Sequence, residues 1–166
     1  MKKTVSVLLF FLLSATNFPT TAENAQVLLQ DAQKLITEGK HLEAAERLET
    51  ILLQFPGTRQ AKDAVFLITS CYVKLDQPDK AEETCLNALE KYQNDTAYAT
   101  RVRNVLADFY ISQKQYEKSI EQLQSILQIK PDYKTVLSLY EKIVSGYIAL
   151  DQPDKAADTL QTLLEE

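Results

Sequence analysis

The sequence predicts an all-α solenoid of four helix-turn-helix repeats, eight helices in all, and three observations lead there. The heptapeptide Leu75-Asp-Gln-Pro-Asp-Lys-Ala81 recurs unchanged as Leu150-Asp-Gln-Pro-Asp-Lys-Ala156, 75 residues later. Two related segments, Gly39-Lys-His-Leu-Glu-Ala44 and Lys114-Gln-Tyr-Glu-Lys-Ser119, place Ala44, Ala81, Ser119 and Ala156 in one register at spacings of 37, 38 and 37. A fixed period in this range marks units that bury their apolar faces only by stacking on their neighbours. Third, apolar residues fall three or four apart throughout, the spacing of amphipathic helices, and no stretch alternates as a strand would.

Residues 1–22 are expected to be a cleaved leader, outside the fold. Lys2 and Lys3 form a basic start, Val5 to Leu13 an apolar stretch, and Thr20-Thr21-Ala22 a small-residue cleavage site. The apolar stretch is far shorter than the ~20 residues that span a bilayer. The first cysteine is Cys71, so no lipid acceptor lies near the cut. The expected product is a soluble protein exported to the periplasm or the exterior, with residues 23–166 as one repeat domain.

The helices follow in order. Repeat one, about 25–59, pairs helices near 25–38 and 41–54, carried by Leu28, Ala32 and Leu35 and then by Ala44, Leu48, Ile51 and Leu52. Phe55-Pro-Gly-Thr58 stops the second, because proline cannot continue a helix. Repeat two, about 60–96, pairs 60–75 with 78–92, and Pro78 stands in an opening turn, where its missing N–H costs nothing. Repeat three, about 97–133, pairs 97–113 with 116–129 and stops at Lys130-Pro-Asp-Tyr133. Repeat four, about 134–166, pairs 134–150 with 153–165 and opens its second helix on Pro153. Repeats two and four share their turn while one and three differ, so duplication of a two-repeat unit is the simplest origin.

These residues resemble the tetratricopeptide repeat family over residues 25–166. The family places a small residue early in the second helix, supplied by Ala44, Ala81, Ser119 and Ala156, and another midway along the first, matched by Ala32 and Ala107 but bulkier at Thr69 and Val144. Leu35, Tyr72, Tyr110 and Tyr147 match its large residue late in the first helix. Leu48, Cys85, Leu123 and Leu160 match a second-helix core position, followed by Ile51, Ala88, Ile126 and Leu163. Pro56 and Pro131 match its closing proline, whereas Gln93 replaces the second one and tryptophan is absent. The period exceeds the family's 34 residues. The extra length, with Phe55-Pro-Gly-Thr58 and the following Ala61 and Ala64, is similar to exported bacterial envelope helper proteins. The resemblance implies a right-handed superhelix that binds proteins and does no chemistry.

Without residues 1–22 the chain has 144 residues and loses Lys2 and Lys3, leaving 16 basic against 23 acidic residues, a net charge of −7. Such length suffices for a self-standing core. The acidic balance, with no basic run, argues against nucleic acid and anionic lipid. The lone histidine, His41, falls in a turn and has no histidine or cysteine near it in sequence to make a triad or a metal site. Gly39, Gly57 and Gly146 are isolated, so no phosphate-cradling loop exists. No enzyme and no cofactor is expected. Asn94-Asp-Thr96 fits a glycosylation acceptor, which matters only in a eukaryotic secretory route.

Cys71 and Cys85 lie on the two helices of one repeat. An exported pair suggests a disulfide, whereas Cys85 stands where the other repeats have leucine and equally reads as a buried small hydrophobe. Both readings stay open. In the resembled family the first helices line a concave face, which points to Gln26, Leu29, Gln33 and Ile36; Asp63, Phe66, Ser70 and Val73; Arg101, Asn104, Asp108 and Ile111; Ser138, Glu141, Ser145 and Ile148. Ile36, Val73, Ile111 and Ile148 form one β-branched row, either a stripe for a partner peptide or helix or packing between first helices. No Lys/Arg cluster suits capture of a C-terminal carboxylate. The chain is also expected to lack a capping helix after repeat four, leaving Ala157, Leu160 and Leu164 for docking a client helix or a second copy. The expected function is therefore a protein-binding scaffold. A self-assembling structural module, or an accessory subunit of an envelope enzyme or secretion complex, is the alternative.

Overall fold

A computed structural model describes residues 21–165. The expected leader at 1–22 lies outside the described residues, apart from the backbone of Thr21 and Ala22. The described chain is eight helices: α1 Thr21–Thr37, α2 His41–Gln54, α3 Arg59–Lys74, α4 Pro78–Lys91, α5 Thr96–Ser112, α6 Tyr116–Leu127, α7 Tyr133–Ala149 and α8 Pro153–Glu165. They form an all-α repeat solenoid, with no strand among the described residues. Most boundaries agree with the sequence reading to within one or two residues. The exception is α1, which starts four residues earlier than the apolar pattern shows, in a turn where Glu23 and Asn24 are exposed.

Each repeat turns on the same device. Gly39, Asp76, Lys114 and Asp151 all adopt positive φ, at 77°, 55°, 58° and 56°. After α3, Gln77 N–H bonds Tyr72 C=O at 2.9 Å and Asp76 N–H bonds Val73 C=O at 3.3 Å, a Schellman closure repeated after α1, α5 and α7. The entry to each later first helix is capped as well. Thr58, Asp95 and Asp132 accept the backbone N–H of Ala61, Tyr98 and Thr135. These caps stand 37 residues apart and are set by the same register.

A left-handed residue other than glycine costs about 1–2 kcal/mol, and aspartate tolerates the conformation better than lysine. Lys114→Gly is therefore expected to stabilise the fold by about 0.5–1 kcal/mol once the greater unfolded-state freedom of glycine is deducted. Urea denaturation checks this, and a lowered midpoint would refute it.

The core is two clusters sharing α5. The larger runs from Leu29 to Tyr110, and the smaller joins Ala107 to Ile120, Leu123, Ile126, Leu139 and Ile143. Ala44, Ala81, Ser119 and Ala156 are all buried, as the close crossing of each helix pair requires. The pairs are also stitched by polar contacts. Tyr110 Oη donates to Glu82 at 2.7 Å, and Lys118 pairs with the same carboxylate at 3.0 Å. Lys62 pairs with Asp95 at 2.6 Å and lies over the rings of Tyr92 and Tyr98.

Candidate protein-binding surfaces

The β-branched row of the first helices is accessible. Val73 and Ile148 are 40% and 64% exposed, while Ile36 and Ile111 are half-buried. Its polar frame is also in place, since Gln26, Gln33, Ser70, Arg101, Asp108, Ser138, Glu141 and Ser145 are exposed. Leu29 is the exception. It is only 6% exposed and belongs to the larger core cluster, so it is a packing residue and not part of the surface. Phe66 is partly buried in the same cluster and carries the Arg101 guanidinium 4.5 Å from its ring centre. Asn104 is half-buried and turns its amide back to Thr100 C=O at 3.2 Å.

Charge on this face is locally paired. Asp63 lies 3.6 Å from Arg59, and Lys142 of α7 reaches across to Asp108 of α5 at 2.6 Å. Between α5 and α7 lies an open recess of about 290 Å³, with Ile111, Ser138, Glu141 and Ser145 in its lining. Tyr116, Lys142 and Gly146 complete it. A Cβ at Gly146 would stand 3.1 Å from the Ile120 side chain, so glycine lets α7 close on α6 at this point. The recess offers apolar and hydroxyl contacts of the sort that hold side chains of a peptide or helix.

Ala157, Leu160 and Leu164, expected to dock a client helix or a second copy, lie on α8. Leu48, Cys85 and Leu123 are each 0% exposed, whereas their equivalent Leu160 is 47% exposed. Leu164 is 87% exposed and Ala157 is also exposed. The helices that carry the first three each pack against the first helix of the following repeat.

Three features have chemistry without an evident site. Cys71 and Cys85 are free and buried, and Cys85 Sγ lies 3.4 Å from Thr69 Oγ1. Burial pushes both thiols up from their ordinary pKa, which keeps them protonated and slow to react. Thiol counting on denatured, unreduced protein should find two free thiols, and a count of zero would establish a bridge. His41 opens α2 with its Nδ1 buried and unpaired. Among the described residues no group of three His, Cys, Asp or Glu side chains is placed to hold a metal ion.

A contact set missed in the sequence is the ladder of Lys80, Lys118 and Lys155 over Tyr72, Tyr110 and Tyr147, at 5.3, 5.1 and 5.6 Å. Its signal was present, since each lysine follows its tyrosine by eight residues. These contacts rivet the turns of repeats two, three and four.

Two family models described as tetratricopeptide repeat match residues 35–101 and 100–133. Among solved structures, the chain is similar to a MamA protein at 20% identity, covering 86% of this chain and 72% of that one with a TM-score of 0.64. It is similar to nearly identical TPR-like repeats of a Podosopora anserina putative kinesin light chain at 16% identity, covering 89% and 76% with a TM-score of 0.65. The TPR domain of P58(IPK) aligns at 17% identity over 78% of this chain and 34% of that one, with a TM-score of 0.54. At these identities the likeness shows the fold alone. No curated protein matches the chain.

Proposed function

The chain carries tetratricopeptide repeats, and on that premise we propose that it is a non-catalytic scaffold that holds another protein against its concave face. The observation that carries this reading is the accessibility of the aliphatic row, with Val73 and Ile148 open beside the α5–α7 recess. An amphipathic helix or an extended segment with regularly spaced apolar side chains suits such a row. No described helix is long and apolar enough to cross a membrane. Export to the envelope rests on the leader-like residues 1–22, as does the periplasmic placement.

The test is affinity capture of partners by residues 23–166 from the native envelope, with Val73→Glu beside the wild type. A charge in the row should reduce recovery of the partner by about tenfold or more. The circular dichroism spectrum should stay helical, because Val73 is outside the sealed core. Equal recovery by both forms would overturn the groove reading.

A further inference from the structure

We propose that Tyr147 and Lys155 form a carboxylate-binding site, filled by the side chain of an aspartate or glutamate on a bound protein. The source of that carboxylate rests on the scaffold reading, and the site is separate from the aliphatic row. The chain already holds carboxylates in this way at its other two junctions between repeats. Tyr110 Oη donates to Glu82 at 2.7 Å, and Lys118 pairs with the same oxygen at 3.0 Å while lying 5.1 Å from the tyrosine ring centre. The tyrosine hydroxyl, then the lysine, hold the Glu82 carboxyl below its ordinary pKa, so the pair favours the charged form. One junction earlier, Tyr72 Oη donates to Glu49, with Lys80 5.3 Å from its ring centre. Each carboxylate comes from the second helix of the preceding repeat, α4 or α2.

The third junction keeps the tyrosine and the lysine but loses the acid. Lys155 lies 5.6 Å from the Tyr147 ring centre, as its counterparts lie over theirs. Glu82 follows the buried Ala81 by one position, and Glu49 follows the buried Ala44 by five. After Ser119 those two positions are Ile120 and Gln124, and neither is acidic. Among the described residues neither the Tyr147 hydroxyl nor the Lys155 ammonium has a hydrogen bond or an ion pair. An open recess of about 180 Å³ stands here, with Ile120, Gln124, Tyr147 and Lys155 in its lining, and it has room for an acidic side chain. It lies at the start of α8, where the helix dipole also favours a negative charge.

Glu117 and Glu121 also border the recess, and they do not bar an anion. Their counterparts Asp79 and Glu83 flank Glu82 on α4, where a carboxylate is held. Nor does Glu121 fill the place itself. Glutamate recurs at its position as Glu46 and Glu83, and the hydroxyls of Tyr72 and Tyr110 bond Glu49 and Glu82 instead. Both carboxylates held by the chain are glutamate side chains delivered from a helix surface, so the occupant assigned is a protein side chain and not a free acid.

The probe is the capped tripeptide N-acetyl-Ala-Glu-Ala-amide, titrated into the isotope-labelled full chain and followed by NMR at the Tyr147 and Lys155 amides. Saturable shifts are expected there, with the glutamine analogue binding about tenfold more weakly or worse. Tyr147→Phe and Lys155→Gln should each weaken the peptide by about fivefold or more, and added salt should weaken it as well. Gln124→Glu should block it, because a carboxylate at the position of Glu49 then fills the recess from within. Gln124 and Lys155 are exposed, so these two variants keep the fold, which circular dichroism checks. No saturable shift, an equal response to the glutamine analogue, or unchanged binding in Lys155→Gln or Gln124→Glu overturns the proposal. Acetate binding as tightly as the peptide also overturns it, since the occupant is then a free acid. Val73→Glu should leave peptide binding unaltered, so failure of the groove and failure of this site are read separately.

Discussion

Ala81→Leu is expected to lower stability by about 1–3 kcal/mol, and by more if α3 and α4 cannot separate. Ala81 is 0% exposed and lies in the first turns of α4, where that helix crosses α3. Ala44, Ser119 and Ala156 hold the same position in the other pairs, and none is larger than a hydroxymethyl side chain. Leucine adds three carbons to a crossing that has room for one. Domains of this size are typically stable by only about 5–15 kcal/mol, so the variant should lose a large part of its margin. Chemical denaturation followed by circular dichroism measures the loss. An unchanged midpoint would show that Ala81 is not at the crossing and that the repeat register is displaced.

The register was legible because every repeat votes for it. Four copies of a small residue, four of a large one and an identical heptapeptide constrain the frame far more tightly than any single helix could. Exposure was less legible. Leu29, Phe66, Asn104 and Glu141 share one position by spacing, yet Leu29 is buried, Phe66 and Asn104 are partly buried, and Glu141 is exposed. The reason is context, since Leu29 and Phe66 pack into the larger core cluster while Asn104 and Glu141 belong to neither cluster. Periodicity tells which way a residue faces and leaves open what stands opposite. The polar ties were hidden for a related reason. Lys62 and Asp95, or Lys142 and Asp108, are 33 and 34 residues apart and meet only once the repeats have stacked. The caps at Thr58, Asp95 and Asp132 are different, since their regular spacing could have been read and was not.

Leu123→Ala and Leu160→Ala form a matched pair with a large expected contrast. The two leucines occupy one repeat position, so the chemical change and the local helix are alike. Leu123 is 0% exposed, in a cluster with Ile120, Ile126, Leu139 and Ile143, and its truncation leaves a cavity between α6 and α7. Such truncations cost about 2–5 kcal/mol. Leu160 is 47% exposed, and its removal should cost under about 1 kcal/mol, because no second wall closes over the space it leaves. Denaturation midpoints of the two variants decide the matter. Equal losses would mean that something already covers Leu160 in the free protein and that the two repeat positions are equally enclosed.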